Sequence, residues 1–133
     1  MHPLDESLLR ELRGTLLHLH KTLLDWQRAE YELDRGVMPA MQFLQVLLND
    51  EAFAWLRSMS GLIVQIDEAL EAKEPDEIPV GPIVAEARRL VSPPAGSVYA
   101  ERYHAALQEL PEAVLTHGGL VTLLKMHDPP GTA

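Results

Sequence analysis

The sequence predicts an all-α protein, a helical bundle of five or six helices with two long antiparallel helices at its centre. Leucine recurs at spacings of three and four along residues 8–33, which is the period of a helix with one buried side. Aromatic residues make up only 5% of the chain, and the aliphatic residues are rich in leucine, a composition that favours helices over sheets. Proline- and glycine-rich breaks separate the other apolar segments.

The first long helix is predicted over about residues 5–35. With Leu9 at position a of a heptad, every a and d position as far as Trp26 holds an apolar side chain. The acidic pair Asp5 and Glu6 suits the positive end of the helix dipole, and Gly36 is a suitable left-handed terminator. At 1.5 Å per residue this helix is about 45 Å long, so we expect it to be the spine of the domain.

The second long helix is predicted over about residues 51–72, with Asn49 and Asp50 as its cap. It is the natural antiparallel partner of the first. Between the two, residues 39–48 are apolar on most sides, so we expect a short, buried connecting helix that begins at Pro39. The remaining segments are a loop at 73–82 and three further helices at 82–91, 98–109 (capped by Ser97) and 111–126.

Length and composition indicate one soluble domain, residues 1–127, followed by a disordered tail at 128–133. The net charge of −9 argues against nucleic-acid binding, which needs a basic face. No window of about 18 apolar residues is present, and the N-terminus lacks the build of a signal peptide, so we expect no membrane contact and a cytoplasmic location. The absence of cysteine excludes disulfides, thiolate metal sites and cysteine nucleophiles.

Motifs of phosphate binding, zinc proteases and serine hydrolases are absent, which favours a non-enzymatic protein without a cofactor. Glu101 and His104 have the Glu-x-x-His spacing of di-iron carboxylate bundles. Such bundles need two copies of the motif, and this chain has one, on the flank of its helix rather than the centre of the apolar side. Glu101 and His104 are therefore only outside candidates for a metal site.

A second set of candidates consists of polar side chains on apolar helix faces. His20, Gln27 and Glu30 lie on adjoining rows of the first long helix, and Asp67 lies on an apolar flank of the second. If these helices pack together, the four groups could line a polar pocket that binds a cation, a small amine or ordered water. The sequence favours the alternative, a structural network in which Glu30 pairs with an arginine (Arg28, Arg57 or Arg88) and fixes the register of the helices.

The first long helix also has a second apolar row, Leu17, Leu24 and Tyr31, about 100° from its leucine stripe. A domain of this size need not cover both rows, so this row is a candidate surface for a homo-oligomer or a protein partner. We therefore expect a helical interaction or scaffold protein that self-associates through its long N-terminal helix. The alternative is a bundle that binds a small ligand or a metal through the polar cluster between the long helices.

Overall fold

A computed structural model describes residues 3–72 and 80–127, and it confirms an all-α helical bundle. The predicted tail at 128–133 and most of the predicted loop at 73–82 lie outside the described residues. The described helices are α1 (Pro3–Arg35), α2 (Ala40–Asn49), a 3₁₀-helix (Glu51–Leu56), α3 (Arg57–Glu71), α4 (Val80–Val91), α5 (Val98–Glu109) and α6 (Pro111–Met126).

α1 is the central helix of the bundle, because the other helices completely cover its row of leucines. Its five central a and d leucines have no exposed surface (Leu9, Leu12, Leu16, Leu19 and Leu23). The helix ends as predicted at Gly36, whose φ of 79° is the left-handed conformation that glycine adopts without a steric penalty. The Gly36 amide closes the last turn by donating to the Glu32 carbonyl at 2.8 Å.

Four helices, α1, α3, α4 and α6, form a ring, and the leucine stripe of α1 faces the interior of this ring. α1 packs against α3 on one side and α6 on the other, and α4 packs against both α3 and α6. Three contacts show that α3 and the 3₁₀-helix run antiparallel to α1: Arg13 with Asp67, Gln27 with Trp55, and Tyr31 with Asp50. α5 packs on α6 and on the 3₁₀-helix, beside the C-terminal half of α1.

The start of the second long helix differs from the prediction of one helix over residues 51–72. Asp50 caps the segment as expected, accepting from the Ala52 amide at 2.9 Å, but the first six residues wind as a 3₁₀-helix. In a 3₁₀-helix, side chains three residues apart share a face. Phe53 and Leu56 are therefore buried together, with 0% and 2% of their surfaces exposed.

α2 also differs from expectation, because we predicted a buried connecting helix and none of its residues is buried. It packs against the 3₁₀-helix through Phe43, whose ring meets that of Phe53 at 5.6 Å. Its other side carries Met41, Leu44 and Leu48, which expose 73%, 45% and 62% of their surfaces. The sequence pattern indicated apolar residues around the helix but not how few neighbours would cover them.

We expect two glycine-to-alanine substitutions to change stability in opposite directions. Gly36→Ala forces a side chain into the left-handed conformation, which costs roughly 1–2 kcal/mol. Gly61→Ala, in the exposed part of α3 where a methyl group meets no atom within 4 Å, removes a flexible residue from a helix and should add about 0.5–1 kcal/mol. Urea unfolding of both variants measures the difference, and equal effects would contradict the assigned end of α1.

Candidate functional site

The four predicted polar residues lie in more than one place. Asp67 accepts from the guanidinium of Arg13, and Arg13 precedes Gln27 by fourteen residues on α1, or about 21 Å. Glu30 instead pairs with Arg102 of α5 at 3.0 Å, and with none of the three arginines proposed from the sequence. The structure therefore does not bring the four groups to one pocket, and each of the two carboxylates has its own arginine.

Gln27 is the most buried of the four predicted polar residues, with 4% of its surface exposed. Its Oε1 accepts from Trp55 Nε1 and from Arg102 Nη2, each at 2.8 Å. The same Arg102 nitrogen donates to Glu30 at 3.0 Å, and the guanidinium lies 4.5 Å from the ring centre of Trp26. Gln27 thus joins α1, α5 and the 3₁₀-helix, and this geometry suits a structural clamp.

Arg102 and the two tryptophans were not among the residues singled out from the sequence. Arg102 lies on the polar side of α5 and reaches a partner 72 residues away, so no spacing within its own helix could have identified it. The two indole rings meet edge to face at 6.3 Å, and Trp26 donates its N–H to Glu109. The clamp is therefore built largely from contacts between distant segments.

The other two members of the predicted cluster are more exposed. Asp67 and Arg13 line an open groove of about 390 Å³ together with Arg10, Leu70 and Glu71. Four of the five lining residues are charged, and Arg13 and Asp67 are paired with each other, so this groove lacks the apolar floor of a ligand site. His20 is half-buried, and burial lowers its pKa below the ordinary value. Among the described residues the ring has no hydrogen-bond partner.

Glu101 and His104 are both exposed on α5. Within residues 3–72 and 80–127, no group of three or more His, Asp or Glu side chains is placed to hold a metal ion. Metal binding at this pair therefore stays a prediction without structural support.

A Tyr–His pair lies between α5 and α6, with its tyrosine buried and its histidine partly exposed. Tyr103 is completely buried, and its hydroxyl lies 2.7 Å from Nδ1 of His117. Burial raises the pKa of Tyr103 far above its usual range, while burial and the nearby His104 lower the pKa of His117. The phenol therefore remains the donor and the neutral imidazole the acceptor. The ring of Tyr99 stacks on Tyr103 at 5.5 Å.

The predicted interface row of α1 is largely used inside the molecule. Leu24 and Tyr31 are half-buried against the core. The Tyr31 hydroxyl donates to Asp50 at 2.9 Å, and its ring lies between Phe53 and the guanidinium of Arg35. Only Leu17, with 38% of its surface exposed, remains available at the surface.

The largest concentration of exposed apolar side chains is instead on and beside α2. Of the described residues, twelve large apolar side chains are exposed, and five of them lie between Leu33 and Leu48. At 100° per residue, Met41, Leu44 and Leu48 fall within an arc of about 60°, whose centre lies about 130° from Phe43 on the side that packs on the 3₁₀-helix. We call these three residues the α2 face. Residues 36–49 contain no charged side chain.

The α2 face is held in place from both ends. Before α2, the Met38 amide donates to Glu32 at 2.7 Å, and the Met38 carbonyl accepts from Arg28 at 3.1 Å. The same Arg28 guanidinium lies 4.0 Å from the ring centre of Phe43. After α2, Arg57 donates to the Leu48 carbonyl at 2.9 Å. An apolar surface fixed in this way loses little conformational freedom when it binds.

Comparison with protein-family models, with curated proteins and with solved structures finds no match. None of the described helices combines the length and the hydrophobicity that spanning a lipid bilayer requires.

We expect Gln27 to matter more for stability than Glu30. Gln27→Leu leaves the Trp55 N–H and one Arg102 donor without an acceptor in the interior, which costs roughly 1–3 kcal/mol. Glu30→Gln weakens an ion pair whose carboxylate side chain is 48% exposed, so it should cost less than about 1 kcal/mol. Chemical unfolding of the two variants gives the ranking, and the reverse order would contradict the clamp.

We also expect stability to fall as the pH is lowered from about 7 to 5. Burial in the folded state lowers the pKa values of His20 and His117 below the ordinary value of 6.5. The unfolded chain therefore binds more protons than the folded one below pH 6.5, and the stabilisation present above that pH is lost towards the folded-state pKa values. Thermal unfolding across this range should show a smaller drop for His20→Gln and for His117→Gln than for the wild type. A drop unchanged by both substitutions would assign the effect to other groups.

Proposed function

We propose that this protein is a non-enzymatic helical interaction protein that self-associates, and that the α2 face is its contact surface. The observation that supports this is the position of Met41, Leu44 and Leu48 on a helix whose opposite side already contacts the core. These side chains contribute little to the fold as it stands. Contiguous exposed apolar surface of this kind is characteristic of interaction sites.

The three side chains of the α2 face gain free energy only when they leave water. Burying the exposed parts of these three side chains against a partner would contribute roughly 1–2 kcal/mol for each of them. Left in water they contribute nothing and lower solubility. The contacts of Arg28, Glu32 and Arg57 keep the face presented outwards rather than allowing α2 to fold inwards. A surface that is both apolar and rigidly held supports a role in binding.

The distribution of charge favours a protein partner over other kinds. Neither nucleic acid nor an anionic membrane surface suits a chain with a net charge of −9, because both partners need basic side chains beside the contact. The uncharged segment 36–49 is the place where two acidic molecules could approach with the least repulsion.

Self-association through α1, expected from Leu17, Leu24 and Tyr31, has less support. Tyr31 and Leu24 already pack inside the molecule, so this row could add only Leu17 to a contact. The small-ligand or metal-binding alternative has no observation in its favour, because both carboxylates of the predicted cluster are paired with arginines.

We expect the double substitution Met41→Glu/Leu48→Glu to abolish self-association without unfolding the protein. Two carboxylates on the α2 face would have to be desolvated on contact, whereas surface changes of this kind alter folding stability by only about 0.5 kcal/mol. Sedimentation velocity over a wide concentration range measures the mass, and circular dichroism verifies the fold.

The matched control is Val98→Glu/Leu115→Glu, which adds the same charge at exposed apolar positions of α5 and α6. It should associate like the wild type. A wild type that stays monomeric at every concentration would refute self-association. Loss of association in Leu17→Glu, with none in the α2 variant, would move the contact to α1.

A further inference from the structure

We infer that the occupant of the α2 face is α2 of a second copy, packed antiparallel across a two-fold axis that passes beside Leu44. This inference rests on the self-association proposed above and adds the geometry of the contact. It identifies which residues meet in the dimer, which the mass of the dimer cannot show.

The spacing of the apolar side chains favours a helix as the partner. Met41, Leu44 and Leu48 are three and four residues apart, the spacing at which one helix packs along another. Their arc of about 60° is a narrow stripe, wide enough for one row of side chains from a facing helix. Val37, 88% exposed, precedes the stripe by four residues and lengthens the apolar strip along the chain.

The polar residues beside the stripe favour an identical partner. Gln42, Gln45 and Asn49 are exposed, and all three are uncharged. In a two-fold contact the residues at the edge of the surface face the same residues, or their neighbours, on the partner. Charged residues at this edge would therefore face charges of the same sign. Uncharged residues at the edge avoid this repulsion between two chains that each have a net charge of −9. They also give a basic or an acidic partner no opposite charge to bind.

The area available is sufficient for a weak dimer. The α2 face and Val37 before it present on the order of 400 Å² of apolar surface. Two copies would then bury about 800 Å² of apolar surface, and the polar residues beside the stripe bring the total close to the roughly 1,000 Å² that is the lower limit for a specific interface. The dimer should therefore be concentration-dependent and dissociate readily on dilution.

The helix dipoles favour the antiparallel direction. Side by side, two antiparallel helices have opposed dipoles, which is the favourable arrangement. A two-fold axis perpendicular to both helices relates the ends of the stripe to each other, so Met41 meets the partner subunit's Leu48. Leu44, in the middle of the stripe, then meets the partner subunit's Leu44.

Single cysteines test this arrangement cleanly, because the chain contains no cysteine of its own. With a short bismaleimide at a concentration where the protein is dimeric, Leu44→Cys should cross-link to itself several-fold faster than the exposed control Leu115→Cys. A mixture of Met41→Cys and Leu48→Cys proteins should form mainly the mixed cross-link. Each of these two variants alone should cross-link more slowly.

The outcomes separate this inference from the function on which it rests. If sedimentation shows a dimer but Leu44→Cys cross-links no faster than Leu115→Cys, the α2 pairing is wrong and self-association stands. If Met41→Cys and Leu48→Cys each cross-link mainly to themselves, the helices are parallel and the antiparallel model is overturned. If the wild type is monomeric under the same conditions, both proposals fail.

Discussion

The fold depends on burying the leucine stripe of α1. That helix has 33 residues and is about 50 Å long, whereas α3 and α6, with 15 and 16 residues, are each about 23 Å long. The other helices of the ring can therefore cover only part of the length of α1. The 3₁₀-helix and α5 cover the next part, and Leu33 near the end of α1 stays 82% exposed.

The polar clamp lies where the fully apolar part of α1 ends. The last completely buried leucine of α1 is Leu23, and the next buried position, Gln27, is polar. A buried amide is tolerated only if its hydrogen bonds are made, and here Trp55 and Arg102 both donate to it. This fixes the 3₁₀-helix and α5 against α1 at the point where leucine packing no longer specifies their position.

Local features of the fold could be predicted from the sequence, and contacts between distant segments could not. The stop at Gly36 and the caps at Asp50 and Ser97 depend on neighbours within four residues, and all three are present. The oddly placed polar groups Gln27, Glu30 and Asp67 were visible as exceptions to the apolar pattern. Their partners were not, because Arg13 and Arg102 could be chosen only once the register of α1 against α3 and α5 is known.

The exposure of α2 has the same physical origin. Periodicity shows which residues of a helix are apolar, but burial also needs an element on each apolar side. α2 has apolar side chains on two opposite sides and packs against the 3₁₀-helix on one of them. The described part of the chain uses its other helices to cover α1 and the interior of the ring. None of the described residues covers the second side of α2, and its lack of charge is the reason why we propose a second acidic copy as the molecule that buries it.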